Sequence, residues 1–502
     1  MNIKKFNVLI FALFLSPLIY SGSLYSYENT SKLSQFKKVN TLINSDENDI
    51  KNNDLVIRFE DLKEILLQNN EQLKKYRSQI SQSKAVLKSK IAAWSPRLNL
   101  ASDDLPSFTS GKSKNKISED SATKQTKIGL SGSLEWDIIN PSRRLEINIA
   151  KKDLENTEYN YKYYEKDLYL EAVKKYFLIQ ASMQDIKISE NAIEISLVSL
   201  NEARNRYNSG IGNKLELLES KTQLGRERLL LEKRIGQLTS NQNDLAKILN
   251  IKRKFLINKD ENPKILGFWK LKRDKSFSLA VKNRNDLKIK EKNILINQKK
   301  AKSILSGKKP TISIFNTYSL STSYGEAGVE SPNYDNLQNA NSNKVGIKFN
   351  LNLFDGGLIK ENFNSLKSKE NELIAELNEK KLEIDNQLNN ALINLNIAKS
   401  SIMISYEQVQ SANESLNISL KRLDAGLTTQ REIVNLQGDV SEAESNYINS
   451  IKNYNENLFS LVRIVGIDNH NFCDLSNHKD RYQNTFMEFA IKKDLIICNS
   501  LT

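Results

Sequence analysis

The residues able to do chemistry in this chain are few, and the suggestive ones are carboxylates at matched positions. Glu216 stands to Gly210 as Glu432 stands to Gly426, and Glu219 extends the first site one helical turn along. No histidine or cysteine lies near them. His470, His478, Cys473 and Cys498 all fall close to the C-terminus. That distribution argues against histidine acid–base pairs, thiolate nucleophiles and His/Cys metal centres in the body of the chain. The four C-terminal residues suit a metal by type, but their spacing matches no known site. Gly210-Ile211-Gly212 is too short for a nucleotide-binding fingerprint, and no phosphate loop occurs. No cofactor and no enzymatic reaction are expected. Taken alone, the carboxylates read as solvated helix residues.

The elements that position these carboxylates are long helices. From Phe354-Asp355-Gly356-Gly357 to Gly466 there is no proline, and Gly426 and Gly438 are the only interior glycines. A stretch so free of breakers reads as helix. Past Gly426, Ile433, Gln437, Val440, Glu444, Tyr447, Ile451, Tyr454, Leu458 and Leu461 keep a four-three step. Before it, Val409, Asn413, Leu416, Leu420 and Leu423 do the same. This is a coiled-coil seam with polar interruptions, folded back at Gly426, where glycine accepts the left-handed backbone of a helix end. An earlier block matches it. Trp136-Asp137 corresponds to Phe354-Asp355. Ile193, Leu197, Leu200, Arg204 and Tyr207 carry the step to Arg206-Tyr207-Asn208-Ser209-Gly210, which aligns with Arg422-Leu423-Asp424-Ala425-Gly426. Leu217, Leu224, Leu231, Ile235, Leu238 and Leu245 carry it onward. The chain is an internal duplication.

The rest of the 502 residues fits around those two blocks. Residues 1–23 read as a secretory signal: Lys4 and Lys5, the apolar run Phe6 to Tyr20, then Ser21-Gly22-Ser23, with cleavage expected after Ser23. Residues 24–54 are polar and read as a disordered leader. The first repeat spans 55–265. It begins with a helical pattern (Leu62, Ile65, Leu66, Leu73, Ile80, Leu87) that stops at Pro96. The second spans 266–466, with Leu279, Leu287, Ile294, Ala301 and Leu305 stopping at Pro310. A tail, 467–502, follows. The balance of 74 Lys+Arg against 60 Asp+Glu gives a net charge of +14. The lysines are scattered among glutamate and asparagine along helix faces, so they read as a solvated surface and no nucleic-acid partner is expected.

Four runs alternate apolar and polar: Leu98-Leu100, Ile128 to Ile138, Ile312 to Leu320, and Val345 to Leu353. They form two pairs, split by polar segments 103–124 and 325–342 that read as long loops. Exported hairpins of this kind suit an outer-membrane β-barrel. Four strands cannot close, and open edges are not tolerated in lipid. Two chains would supply eight strands and three would supply twelve, and only the larger ring leaves a lumen. The helices, at about 1.5 Å per residue, run roughly 100 Å from Pro141 to Tyr207.

These features together resemble the TolC family of trimeric outer-membrane efflux ducts. The resemblance is carried by Leu353-Phe354-Asp355-Gly356-Gly357, Arg422-Leu423-Asp424-Ala425-Gly426-Leu427-Thr428 and Leu461-Val462-Arg463-Ile464-Val465-Gly466, with the helix-to-proline boundaries and the duplication, over roughly 55–466. It implies a mixed fold, all-α except for a membrane β-barrel. Four strands per chain would enter a twelve-stranded homotrimeric barrel in outer-membrane lipid, and antiparallel coiled coils would form a periplasmic tunnel. The implied function is passive export in a tripartite efflux or type I secretion system, with a periplasmic adaptor and an inner-membrane pump as partners. Gly210, Ile211, Gly426, Leu427 and Thr428 match the tips that meet the adaptor. Glu216, Glu219 and Glu432 match the acidic periplasmic gate, where carboxylate rings favour cations. Three departures bear on that gate. Asn435 is neutral where an acid is common, Leu423 replaces an aromatic, and Thr428 stands where some members carry a gating arginine. The charged latch is therefore expected to be absent or differently built. In an oxidising periplasm Cys473 and Cys498 could pair; two free thiols or a disordered tail are the alternatives. A coiled-coil structural or adhesion protein of the envelope is the competing function; it accounts for the helices but not for the paired strands.

Overall fold

The structure is a computed structural model that describes residues 55–113, 121–252, 255–257, 263–328, 337–467, 481–493 and 495–496. The expected signal, the leader to Asp54, and His470, His478, Cys473 and Cys498 lie outside those residues. The unit from Val56 to Thr502 carries the long elements. Two copies of one plan follow each other. In the first, α1 (Leu62–Asn69) and α2 (Glu71–Ala92) lead into strands β2 (Arg97–Ser113) and β3 (Ser121–Ile139), then helices α3 (Arg143–Asn208) and α4 (Lys214–Leu249). In the second, α5 (Arg273–Asn283) and α6 (Asn285–Leu305) lead into β5 (Thr311–Gly328) and β6 (Leu337–Asn350), then α7 (Leu358–Asp424) and α8 (Gln430–Val465). The long helices have 66 and 67 residues and each return helix has 36, so the helical hairpins of the two copies match to within one residue.

The short helices break at equivalent points. Asn70 and Arg284 are both extended, with ψ of 123° and 125°. Asn70 caps α2 by accepting from the Leu73 amide at 2.9 Å, and its Nδ2 donates to Ile248 O at 2.6 Å. Arg284 grips Asp286 with two nitrogens, at 2.9 and 2.6 Å, and reaches Gln387 on α7 at 3.1 Å. Burial pushes the Asp286 carboxyl up, but Arg284, Lys380 and Arg463 outweigh it and hold the group below the usual carboxylate range. α3 packs on α2, α4, α6 and α8, and α7 packs on α6 and α8.

Several expectations need correction. Leu55–Ile57 is a strand, β1, paired with β4 (Phe255–Ile257), and helix begins only at Leu62. The polar segments 103–124 and 325–342 are mostly strand. β2 and β3 pair as far as Ser113–Ser121, and β5 and β6 as far as Tyr324–Leu337. Ladder hydrogen bonds come from the backbone, so Ser, Thr and Gly continue a hairpin once the apolar pattern stops. Pro106 is tolerated because β2 is an edge strand, bulged between Ala101 and Ser107. The helical seam holds along α8, where Ile433, Gln437, Val440, Ile451, Tyr454, Leu458 and Leu461 are buried, and shifts at several positions on α3, α4 and α7. Leu197, Arg204, Tyr207, Ile235, Asn413 and Leu420 are exposed, whereas Ala192, Ser196, Ser199, Ala203 and Ser419 are buried. The long helices approach through small residues on the neighbouring face. Leu416, Leu423, Ile433 and Val440 do form a cluster as the spacing predicts.

The tail contributes a further helix, α9 (Arg481–Lys492). Phe486 meets Phe268 and Tyr454 edge-on or tilted, and Phe489 meets Tyr406. The Ile265 amide donates to Leu495 O at 2.7 Å. Tyr454, fully buried, donates to Gly267 O at 2.7 Å, and Asn455 holds Lys264 and Leu266. The link between the two repeats is thus clamped on α8.

Candidate functional site

The two hairpin turns share one geometry. α3 ends at Ser209 and α7 at Ala425, each with φ −81° and ψ −1°. Gly210 and Gly426 follow with φ of 76° and 72°, a region unfavourable to any residue with a Cβ. The Ile211 and Leu427 amides donate back to Arg206 O and Arg422 O at 3.0 and 2.8 Å, and the glycine amides donate to Tyr207 O and Leu423 O. Both turns are therefore Schellman motifs, which satisfy the last helical carbonyls. The return helices start from extended residues, Asn213 and Thr429; Asn213 Oδ1 caps α4 by accepting from the Glu216 amide at 2.9 Å. Ile211 and Leu427 are 78% and 69% exposed, two apolar side chains projecting from otherwise polar turns.

The three carboxylates have different surroundings. Glu432 accepts from Thr428 Oγ1, one turn back, and from Ser419 Oγ at 3.3 Å. Glu219 is held by Arg431, whose Nε donates to Oε1 at 3.0 Å and whose Nη2 reaches the same oxygen. Glu216 has no ion pair among the described residues. Thr428 is thus a hydroxyl that orients Glu432. Arg431, three residues further on, ties α8 to α4. Sequence reasoning missed Arg431, and only its adjacency to Glu432 in the first turn of the matched helix could have signalled it.

Above the turns, α7 and α8 enclose a groove of about 560 Å³ lined by amides and hydroxyls, including Asn394, Ser401, Asn446 and Asn453, together with Ile397 and Ile404. Glu456 borders it, and burial raises that carboxyl above the ordinary range, as it does Glu444 on the same helix.

At the far end the sheet order is β2-β3-β5-β6, antiparallel throughout, with β2 and β6 as open edges. Directly opposed residues share a face. The register therefore aligns Leu98 with Leu134, Leu130 with Leu320, Trp136 with Ile314, and Ile347 with Ile314 on one largely apolar face, interrupted by Asn316 on β5 and by Asn339, Asn341 and Asn343 on β6. Ser131, Ser133, Thr317, Ser319 and Ser342 lie on the other. Aromatics close the apolar band at both ends. Trp136 and Phe349 lie at one, and Phe108 and Tyr324 lie opposite Thr126 at the other. From Trp136 to Thr126 is about 33 Å along the strand at ~3.3 Å per residue. With a tilt of ~40° that is about 25 Å of height, the thickness of the apolar band of an outer-membrane barrel. Among the described residues no helix is long and apolar enough to cross a membrane.

The sheet is fixed to the helices at one joint. Trp136 Nε1 donates to Trp94 O at 2.9 Å. The buried Arg143 lies 4.5 Å over the Trp94 ring and donates to Asp137 O at 2.6 Å. In the second copy Asp355 instead caps α7, accepting from the Gly357 and Ile359 amides at 2.9 Å.

With this geometry in hand, comparison with known proteins is specific. The family model for outer membrane efflux protein matches residues 62–250 and 277–467. Several solved structures share the fold. The CmeC outer membrane channel of Campylobacter jejuni is 15% identical with a TM-score of 0.65, covering 90% of this chain and 95% of that one. A membrane protein from Pseudomonas aeruginosa is 17% identical with a TM-score of 0.66, covering 81% and 90%. The outer membrane protein VceC of Vibrio cholerae is 14% identical with a TM-score of 0.63, covering 81% and 95%. No curated protein matches.

Proposed function

Because the chain belongs to the outer membrane efflux protein family, we propose that three copies close into one export duct, with a twelve-stranded barrel in the outer membrane and a helical tunnel in the periplasm. The observation that carries this reading is the four-stranded sheet with a one-sided apolar band and two open edges. In lipid, each unpaired N–H and C=O along β2 and β6 costs several kcal/mol, so these edges must find each other in neighbouring chains. Strand directions alternate across the sheet, so β6 of one chain meets β2 of the next antiparallel. Twelve strands leave a lumen where eight would fill it with side chains.

The helices support the same assembly. Ile393, Ile397, Ile404 and Ile418 on α7 are exposed, as are Leu215, Leu218, Leu229 and Leu230 on α4. Apolar stripes on solvated helices are interface material. The duct carries out no reaction of its own. Its periplasmic end is the pair of turns at Gly210 and Gly426, where Ile211, Leu427 and Thr428 meet a periplasmic adaptor that connects to an inner-membrane pump. Glu216, Glu219 and Glu432, repeated by threefold symmetry, form the acidic constriction behind those tips.

The adaptor assignment is tested by crosslinking in cells from a Leu427→Cys chain. Capture of a periplasmic adaptor subunit is the expected result. A Leu427→Cys chain that assembles normally yet crosslinks to no adaptor overturns the tip assignment.

A further inference from the structure

The polar face of the sheet carries an uneven charge. Among the described residues its acidic groups are engaged: Glu135 pairs with Arg97 at 3.2 Å, Asp104 with Lys127 at 3.1 Å, and Asp137 accepts from Ser313 at 2.7 Å and lies 3.8 Å from Arg143. Lys344 and Lys348 on β6 share that face, opposite Thr317 and Ser313. Both are exposed, and among the described residues neither joins an ion pair. Between them lies Gly346, opposite Phe315. The Phe315 ring lies over that glycine so closely that an added Cβ would come 2.9 Å from Cζ. The Lys344 ammonium stands 5.8 Å from the centre of the same ring. The ring lies over Gly346, between the two lysines, and Glu135 is opposite Phe315 on the next strand.

We infer that Lys344 and Lys348 form an anion-binding ring inside the barrel, a site for polyanionic solutes such as inorganic polyphosphate. This rests on the duct reading, which turns the polar face inward and repeats the two lysines in three chains. Surface lysines on a free edge strand can also serve to discourage stray pairing. Here both point to the side opposite the apolar band, where they face lumen rather than lipid. A ring of like charge in a confined pore is a selectivity device of known effectiveness. The charges alternate along the duct, acidic at the tips and basic in the barrel.

The test is block by inorganic tripolyphosphate of purified channels in planar bilayers. Protein added from one compartment keeps its long helices there, so the barrel mouth opens to the other. Block is expected at lower concentration from the barrel side, and it should weaken as salt is raised. Lys344→Gln with Lys348→Gln is expected to raise the half-blocking concentration about tenfold, the sum of several exposed ion pairs of modest strength. Lys344→Arg with Lys348→Arg should retain block, which shows that charge and not side-chain shape is read. A conducting double-glutamine channel blocked like the unaltered one overturns the ring. Unaltered protein that forms oligomers but never conducts overturns the duct reading instead.

Discussion

Arg431 reaches from the first turn of α8 to Glu219 on α4, with Nε 3.0 Å from Oε1, and so fastens one hairpin of the chain to the other near their tips. Arg431 is 68% exposed and Glu219 24%, so the pair contributes about 0.2–1 kcal/mol to stability. Its consequence is positional. Arg431→Ala is expected to leave thermal stability nearly unchanged and to raise single-channel conductance, because the hairpins are then free to part. Glu219→Gln should do the same. Conductance equal to the unaltered channel in both variants would remove this pair from the gate.

Glu216 and Glu432 are expected to set ion preference. Glu216→Gln with Glu432→Gln should lower the cation-to-anion permeability ratio in bilayer recordings, most clearly at low salt, where charges are least screened. An unchanged ratio would leave these residues as solvated helix positions. Thr428→Val probes the same site more gently, since it removes only the hydroxyl that orients Glu432.

The apolar face of the sheet should be intolerant of charge. Leu130 lies mid-band, opposite Leu320. Leu130→Arg is expected to cost about 2–4 kcal/mol of stability in lipid, read by urea unfolding in vesicles. Ser131→Arg, one residue along on the polar face, should cost far less. Equal losses would mean that the face is not turned to lipid.

Much of this arrangement was legible in the sequence, because its signals are local. The turns are marked by glycines at Gly210 and Gly426, the helix ends by Pro96 and Pro310, and the apolar face of the sheet by alternation from Ile128 to Ile138. Packing between the long helices was less legible. Ala192, Ser199, Ala203 and Ser419 carry it, and hydropathy does not single out small residues. Strand extent was underestimated because Ser- and Thr-rich ends look like loops while their backbones remain paired. α9 could have been found from Phe486, Phe489 and Ala490, which share one helical face. Arg431 could not be matched with Glu219 from the sequence, since 212 residues separate them.

The joint at Arg284 and Asp286 gives a pH signature. The folded state holds Asp286 below its ordinary range. Its contribution is therefore complete above the unfolded carboxylate value, near pH 4, and is lost as pH falls through the lower folded value. Asp286→Asn leaves the buried Arg284 without its partner and should destabilise by roughly 3–5 kcal/mol at neutral pH. Thermal melts should also show a shallower acid limb in the variant. The same acid limb in both proteins would mean that other carboxylates dominate.

The most direct test of the whole arrangement is the absolute mass of the detergent-extracted protein, measured by light scattering with the detergent contribution subtracted. Two open edges and four strands per chain, closed into the proposed duct, call for three chains, and a mass of three chains is the expected result. A monomer, or a dimer that closes eight strands, would contradict it.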